Sequence, residues 1–184
     1  MRATAHVYTF KEGFLARLAH DLRLTVGKFE IHLERSKLRA SFAADSLRVD
    51  GVARPAGVDA GALSADDKAD IEDTIRRVLL QSAAHPQIEV HGTLTPVGEG
   101  FAADVEVRLR GVTQRLRVPI EIEPDRTVAR VELAPSHFGI APYKALAGAI
   151  RLQDRVVVSI EFLEQSTLLE NAARSGDACM FEPA

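Results

Sequence analysis

Residues 86–123, PQIEVHGTLTPVGEGFAADVEVRLRGVTQRLRVPIEIE, alternate apolar and polar side chains almost without a break. Ile88, Val90 and Leu94 fall on one face, with Gln87, Glu89, His91 and Thr93 on the other. Beyond Gly98-Glu99-Gly100, residues Phe101, Ala103, Val105, Val107 and Leu109 alternate with Ala102, Asp104, Glu106, Arg108 and Arg110. Beyond Gly111, residues Leu116, Val118, Ile120 and Ile122 alternate with Arg115, Arg117, Glu121 and Glu123. Successive side chains of a strand point to opposite faces, so a period of two means one dry face and one wet face. Three such strands joined by short turns predict an antiparallel meander. The rest of the chain must cover the dry face.

Most of the remainder reads the same way. Residues 3–10 form a first strand, and Lys11-Glu12-Gly13 is a turn signal. Residues 14–24 fit either a helical stripe or a kinked strand, and we read them as a strand broken near His20-Asp21. Phe29, Ile31 and Leu33 alternate with Lys28, Glu30 and His32, and residues 37–49 follow as the paired strand. Residues 50–62, rich in Gly, Ala and Pro, are expected to be a loop. Ser64 then precedes a cluster of acids, with Asp67 at the third helical position. This predicts one capped helix over about 65–81, with Ile71, Ile75, Val78 and Leu79 as its apolar stripe. His85-Pro86 closes it. Strands are expected over 127–134 and 154–163, with 135–149 an ordered loop or short helix between them. Residues 166–174 suit a short helix and 175–184 a loose tail.

Eight or nine strands, each dry on one face, have two economical solutions, a sandwich or a closed barrel. A barrel also removes exposed edges, and one of eight strands is either filled by its own side chains or holds a small ligand. Small residues at the inward positions Ala40, Gly92 and Ala103 leave room for one.

Composition narrows the function classes. A net charge of −3 offers no general attraction for nucleic acid. Trp is absent and eight of the ten aromatics are Phe, which suits an apolar interior better than a platform for bases. The single cysteine, Cys179, allows no intrachain disulfide and no Cys-based zinc site. With no apolar leader or membrane-length apolar run in view, a cytoplasmic, reduced location is the expectation.

Several segments together resemble the YceI-like family of lipocalin-like barrels associated with polyprenyl chains. They are AHDL (19–22), FEIHL (29–33), ADIEDTIRRVLL leading into AAHPQIEVHG (69–92), LRGVTQRLRVPI (109–120), SHFGIAPY (136–143) and DRVVVSIEF (154–162). The helix, then Pro86, then the Gly111-Val112-Thr113 hairpin is the most specific combination. The resemblance implies an all-β fold: an antiparallel eight-stranded lipocalin-like barrel with one inserted α-helix. Residues 1–165 would be the barrel domain and 166–184 a C-terminal tail. It also implies an interior that takes an isoprenoid tail.

The chemistry-bearing residues have bland readings beside sharper ones. His32, His85, His91 and His137 show no ligand spacing for a metal, and His6 and His20 lie far apart. His20-Asp21 at a strand break could act as a base and its partner, or simply satisfy the backbone of a kink. No serine or cysteine is placed by a motif as its nucleophile. Arg108, Arg110, Arg115 and Arg117 make a basic hairpin face, read as cross-strand partners for Glu106, Glu121 and Glu123. Residues 136–143 are read equally as a plug or a lid. The leading expectation is a non-enzymatic carrier or store that buries an isoprenoid or fatty-acyl chain. Its proposed wall is Phe29, Ile31, Phe42, Ile88, Val90, Phe101, Val105, Val107, Ile120, Phe138, Ile160 and Phe162. No metal or cofactor is called for beyond a bound polyprenyl quinone or lipid. The expected partner is that hydrophobic ligand, with a homodimer allowed and nucleic acid not expected. The alternatives are a structural barrel with a filled core and an enzyme using His20 and Asp21.

Overall fold

The computed structural model describes residues 2–12, 21–98, 100–123, 125–145, 150–163 and 178–184. Its first half contains β1 (Arg2–Glu12), β2 (Leu22–Val26), β3 (Phe29–Glu34), β4 (Lys37–Ala43), β5 (Leu47–Arg54), β6 (Gly57–Asp59) and the helix α1 (Ala65–Thr74). There follow β7 (Gln87–Val97), β8 (Gly100–Leu109), β9 (Val112–Ile122), β10 (Thr127–Leu133), β11 (Lys144–Ala145), β12 (Ile150–Phe162) and β13 (Cys179–Pro183). The long alternating stretch pairs as expected, with Val90 opposite Val107 and Val105 opposite Leu116. Two of the hairpins turn on residue pairs with positive φ, Arg35-Ser36 and Arg110-Gly111. That geometry matches the right-handed twist of the strands it joins.

Nine strands close a ring, in the order β1, β12, β10, β9, β8, β7, β4, β3, β13 and back to β1. The eight-stranded count therefore becomes nine. The extra strand is β13, from the segment expected to be a loose tail. It pairs antiparallel with β3 (Phe181 opposite Ile31) and parallel with the start of β1 (Ala3 opposite Pro183). Phe181 faces in and is 1% exposed, while Met180 faces out at 46%. Without this strand, β3 and the first residues of β1 would present open edges. Only two inward residues, Cys179 and Phe181, carry its alternation, too few for a periodicity argument.

The expected loop over 50–62 is also a correction, because β5 and β6 form a hairpin there. Gly51 marks a close strand approach rather than a loop. A Cβ at this position would stand 2.4 Å from the Asp59 carbonyl oxygen. Together β2, β5 and β6 form a flap on the flank of the ring, joined through β1. Leu22, Leu24, Val49 and Val52 make a second small core there, covered by Leu63, Ile71 and Ile75.

The helix begins as its sequence demands. Ser64 Oγ accepts from the Asp67 N–H at 3.1 Å, and the Asp67 carboxylate accepts from the Ser64 N–H at 3.0 Å. The Ser64 hydroxyl also lies 2.6 Å from that carboxylate, and its bond, followed by the one from the Ser64 N–H, holds the Asp67 carboxyl below its ordinary range. The continuation, Ile75–Leu79, is π-helical, and Leu80 N–H donates to the Ile75 carbonyl at 2.8 Å. The wider turn shifts the helical phase. Val78, expected on the apolar stripe, is 60% exposed, while Leu79 and Leu80 pack against the main core. The helix expected over 166–174 and the chain through His20 lie outside the described residues.

A polar network on the outer wall ties the flap to the ring. The Thr25 hydroxyl donates to the Asp50 carboxylate at 2.9 Å, and Arg23 Nε donates to the same group at 2.7 Å. Lys68 Nζ, from α1, donates to the Asp50 carbonyl at 3.0 Å. His6 Nδ1 lies 3.1 Å from Thr25 Oγ1. The single Thr25 proton is given to Asp50, so Nδ1 must be the donor of that contact. Burial and then Arg23 lower the His6 pKa below 6.5, against the opposing pull of Asp50 and Glu161. A group with a depressed folded pKa contributes stability that is full above its unfolded pKa and is lost as pH falls through the folded one. Denaturant titrations from about pH 8 to about pH 5 should show the native protein losing stability below neutrality. His6→Gln should flatten that slope, and an unchanged slope would remove His6 as its source.

Candidate functional site

The dry faces of the ring strands enclose a cavity of about 300 Å³, bounded by apolar surface throughout. Among the lining residues only Thr9 carries a hydroxyl, and its Oγ1 is buried rather than presented to the cavity. Of the residues expected on the wall, Ile31, Phe42, Ile88, Val90, Val105, Val107, Ile120, Phe138, Ile160 and Phe162 line the cavity. Phe29 and Phe101 do not. Both are buried in the surrounding core, and Phe29 packs on Phe42 with ring centroids 5.6 Å apart. The sequence reading omitted Val7, Val156 and Val158, although their alternation in β1 and β12 could have identified them. It also omitted Phe181, Leu79 and Leu80, which reach the wall only through the closing strand and the π turn.

The two ends of the cavity differ. At one end Phe162 and Phe181 meet edge to face, with centroids 4.8 Å apart, and both are buried. At the other end the wall is completed by Ile75, Leu79 and Leu80 after α1 and by Phe138 and Ile140. The three residues from the helical segment are half-buried, whereas Phe162 and Phe181 are buried. Phe138 is held by a 3-10 turn, Pro135–Phe138, which Gly139 ends with a φ of 71°. Gln114 Nε2 donates to the His137 carbonyl at 2.8 Å and Arg110 donates to the Gly139 carbonyl at 3.2 Å. Asp154 accepts from both the Ser136 N–H and its hydroxyl, which holds its carboxyl below the ordinary range. The segment expected as plug or lid thus covers this end, tied to β9 and β12 by these hydrogen bonds.

The small inward residues divide into two kinds. Ala40 and Ala103 line the cavity and leave it space. Gly92 does not line it. A Cβ there would stand 2.3 Å from the Asp104 carbonyl oxygen and 2.6 Å from Val105 Cγ1. Gly92 serves the bend of the sheet, not the volume inside it. Gly92→Val is expected to lower stability by about 1–3 kcal/mol through overpacking, read from the denaturant midpoint. A change within about 0.5 kcal/mol would contradict this close approach.

Asp21 Oδ1 accepts from the Lys11 N–H at 2.8 Å, and His20 lies outside the described residues. Among the described residues no group of three His, Cys, Asp or Glu is placed to hold a metal. His32 faces outward, 3.5 Å from Glu30. The basic hairpin is laced to carboxylates: Arg108 to Glu89, Arg115 to Glu106 and Arg117 to Asp104, at 3.5, 2.9 and 3.0 Å. Glu106 is the one expected partner used this way, while Glu123 pairs with Arg126.

A family model described as a YceI-like domain matches residues 7–163. No curated protein sequence matches the chain. Among solved structures, the crystal structure of Burkholderia cenocepacia BcnA is similar, with a TM-score of 0.59 at 10% identity over 86% of this chain and 94% of that one. A polyisoprenoid binding domain from Saccharophagus degradans, implicated in plant cell wall breakdown, has a TM-score of 0.56 at 9% identity over 86% of this chain and 91% of that one. At these identities the likeness is one of fold. No helix among the described residues is long and apolar enough to cross a membrane.

Proposed function

Since the chain belongs to the YceI-like family, we propose that its barrel binds one apolar chain, isoprenoid or fatty-acyl, as a carrier or store and not as a catalyst. The observation that carries this reading is the continuous cavity of about 300 Å³ with no polar surface on its wall. That volume lies at the lower end of the range typical of small-molecule sites. An apolar chain moved from water into such a space is held by desolvation alone, while a polar group carried inward would lose its hydrogen bonds to water. The polyisoprenoid binding of the Saccharophagus degradans domain, a fold neighbour, supports the same class of ligand. A filled structural barrel is a weaker account, because the interior is not filled by its own side chains.

Native mass spectrometry of the purified protein, with solvent extraction of what it carries, tests the reading. The expected result is a bound lipid, or uptake of farnesol or laurate by protein stripped of lipid. A stripped protein that takes up neither would overturn it.

A further inference from the structure

We propose that the Phe162–Phe181 pair is the floor of a chain-length ruler, limiting the buried part of the ligand to about a dozen carbons. This rests on the barrel binding an apolar chain at all. The ring contact is edge to face, with an interplanar angle of 70°. Each ring is fixed by its strand: Phe162 stands opposite Ala3 and Thr127, and Phe181 opposite Ile31. Ala3, Phe101 and Thr127 are buried but do not line the cavity. Among the described residues the cavity wall therefore ends at the two rings.

The length follows from volume. An apolar cavity of about 150 Å³ holds one benzene, six carbons. A cavity of about 300 Å³ is twice that, enough for two to three isoprene units or a medium-length acyl chain. No polar group on the wall reads a functional group along the chain, so length is the property this site selects. Each methylene moved out of water tightens binding by about fourfold, until the space is full. On this proposal, carbons beyond the limit stay in water at the end opposite the two rings and add nothing.

The test is calorimetric titration of the full chain, stripped of lipid, with geraniol, farnesol and geranylgeraniol. The native protein should bind farnesol at least about tenfold more tightly than geraniol, and geranylgeraniol within about threefold of farnesol. Phe162→Ala removes six ring carbons from the floor. In that variant geranylgeraniol should bind at least about tenfold more tightly than farnesol. Ala103→Leu works in the opposite direction by adding bulk to the wall, and it remains informative if Phe162→Ala does not fold. It should bring farnesol within about threefold of geraniol. Native affinity that keeps rising about tenfold from farnesol to geranylgeraniol overturns the ruler and leaves chain binding intact. An Ala103→Leu break point unmoved from the native one overturns it too. Failure of all three prenols to bind the native protein counts instead against the binding reading itself.

Discussion

Phe181→Ala is expected to lower stability by about 3–5 kcal/mol, although only Glu182, Pro183 and Ala184 follow it in the sequence. Its ring is almost fully buried, packs edge to face on Phe162, and sits on the strand that joins β3 to β1. Truncation removes both the burial and the aromatic contact, at the point where the ring of strands closes. For a chain of this size the melting temperature should fall by about 10 °C. Met180→Ala, on the exposed face of the same strand, should change stability by less than about 0.5 kcal/mol. Guanidinium unfolding of both variants is the measurement. Equal, small effects would show that β13 contributes little to the closed barrel.

Val158→Asp is expected to abolish high-affinity binding of an apolar chain. Val158 lies on the cavity wall, opposite Val7 on β1 and Val131 on β10, with no polar surface around it. An ionised carboxylate there would be desolvated and unpaired. It should destabilise the fold by at least about 3 kcal/mol at neutral pH and weaken farnesol binding by about a hundredfold or more. The pH dependence has a definite sign. Desolvation raises the folded pKa above the unfolded value of about 3.9. The loss of stability should therefore be absent in acid, grow as pH rises from about 4 through the folded pKa, and level off above it. A variant equally stable in acid and at neutrality, with native affinity for farnesol, would show that Val158 does not face an apolar space.

The legible parts of the fold were those with long, regular patterns. Residues 86–123 hold eleven, ten and eleven residues in β7, β8 and β9. Over such lengths a period of two has no competing reading. The helix start was legible because the Ser64 and Asp67 exchange is local, spanning three residues. The errors fell where the backbone departs from a regular repeat. Val78 was assigned to the wrong face because a π turn changes the helical phase, and nothing in IRRVL announces one. The 50–62 segment looked like a loop because its glycines suit turns, whereas Gly51 is needed where the Asp59 backbone comes close.

The candidate site divides along the same line. Alternation alone placed Ile31, Val90, Val105, Val107, Ile120 and Ile160 on the inner face, since strand geometry leaves no third direction for a side chain. What alternation could not supply was whether an inward side chain meets a ligand space or another side chain. That depends on how far apart opposite walls stand, which the curvature and closure of the ring decide. Hence Phe101 and Phe29 are packed in the core while Val105 and Phe42 border the cavity. The strand pattern, the start of α1 and the dry interior were determined by residue order through local sterics and desolvation. The ninth strand, the floor at Phe162 and Phe181, and the cavity of about 300 Å³ were decided only in three dimensions. Each depends on groups that lie apart in the sequence and meet only in the folded barrel.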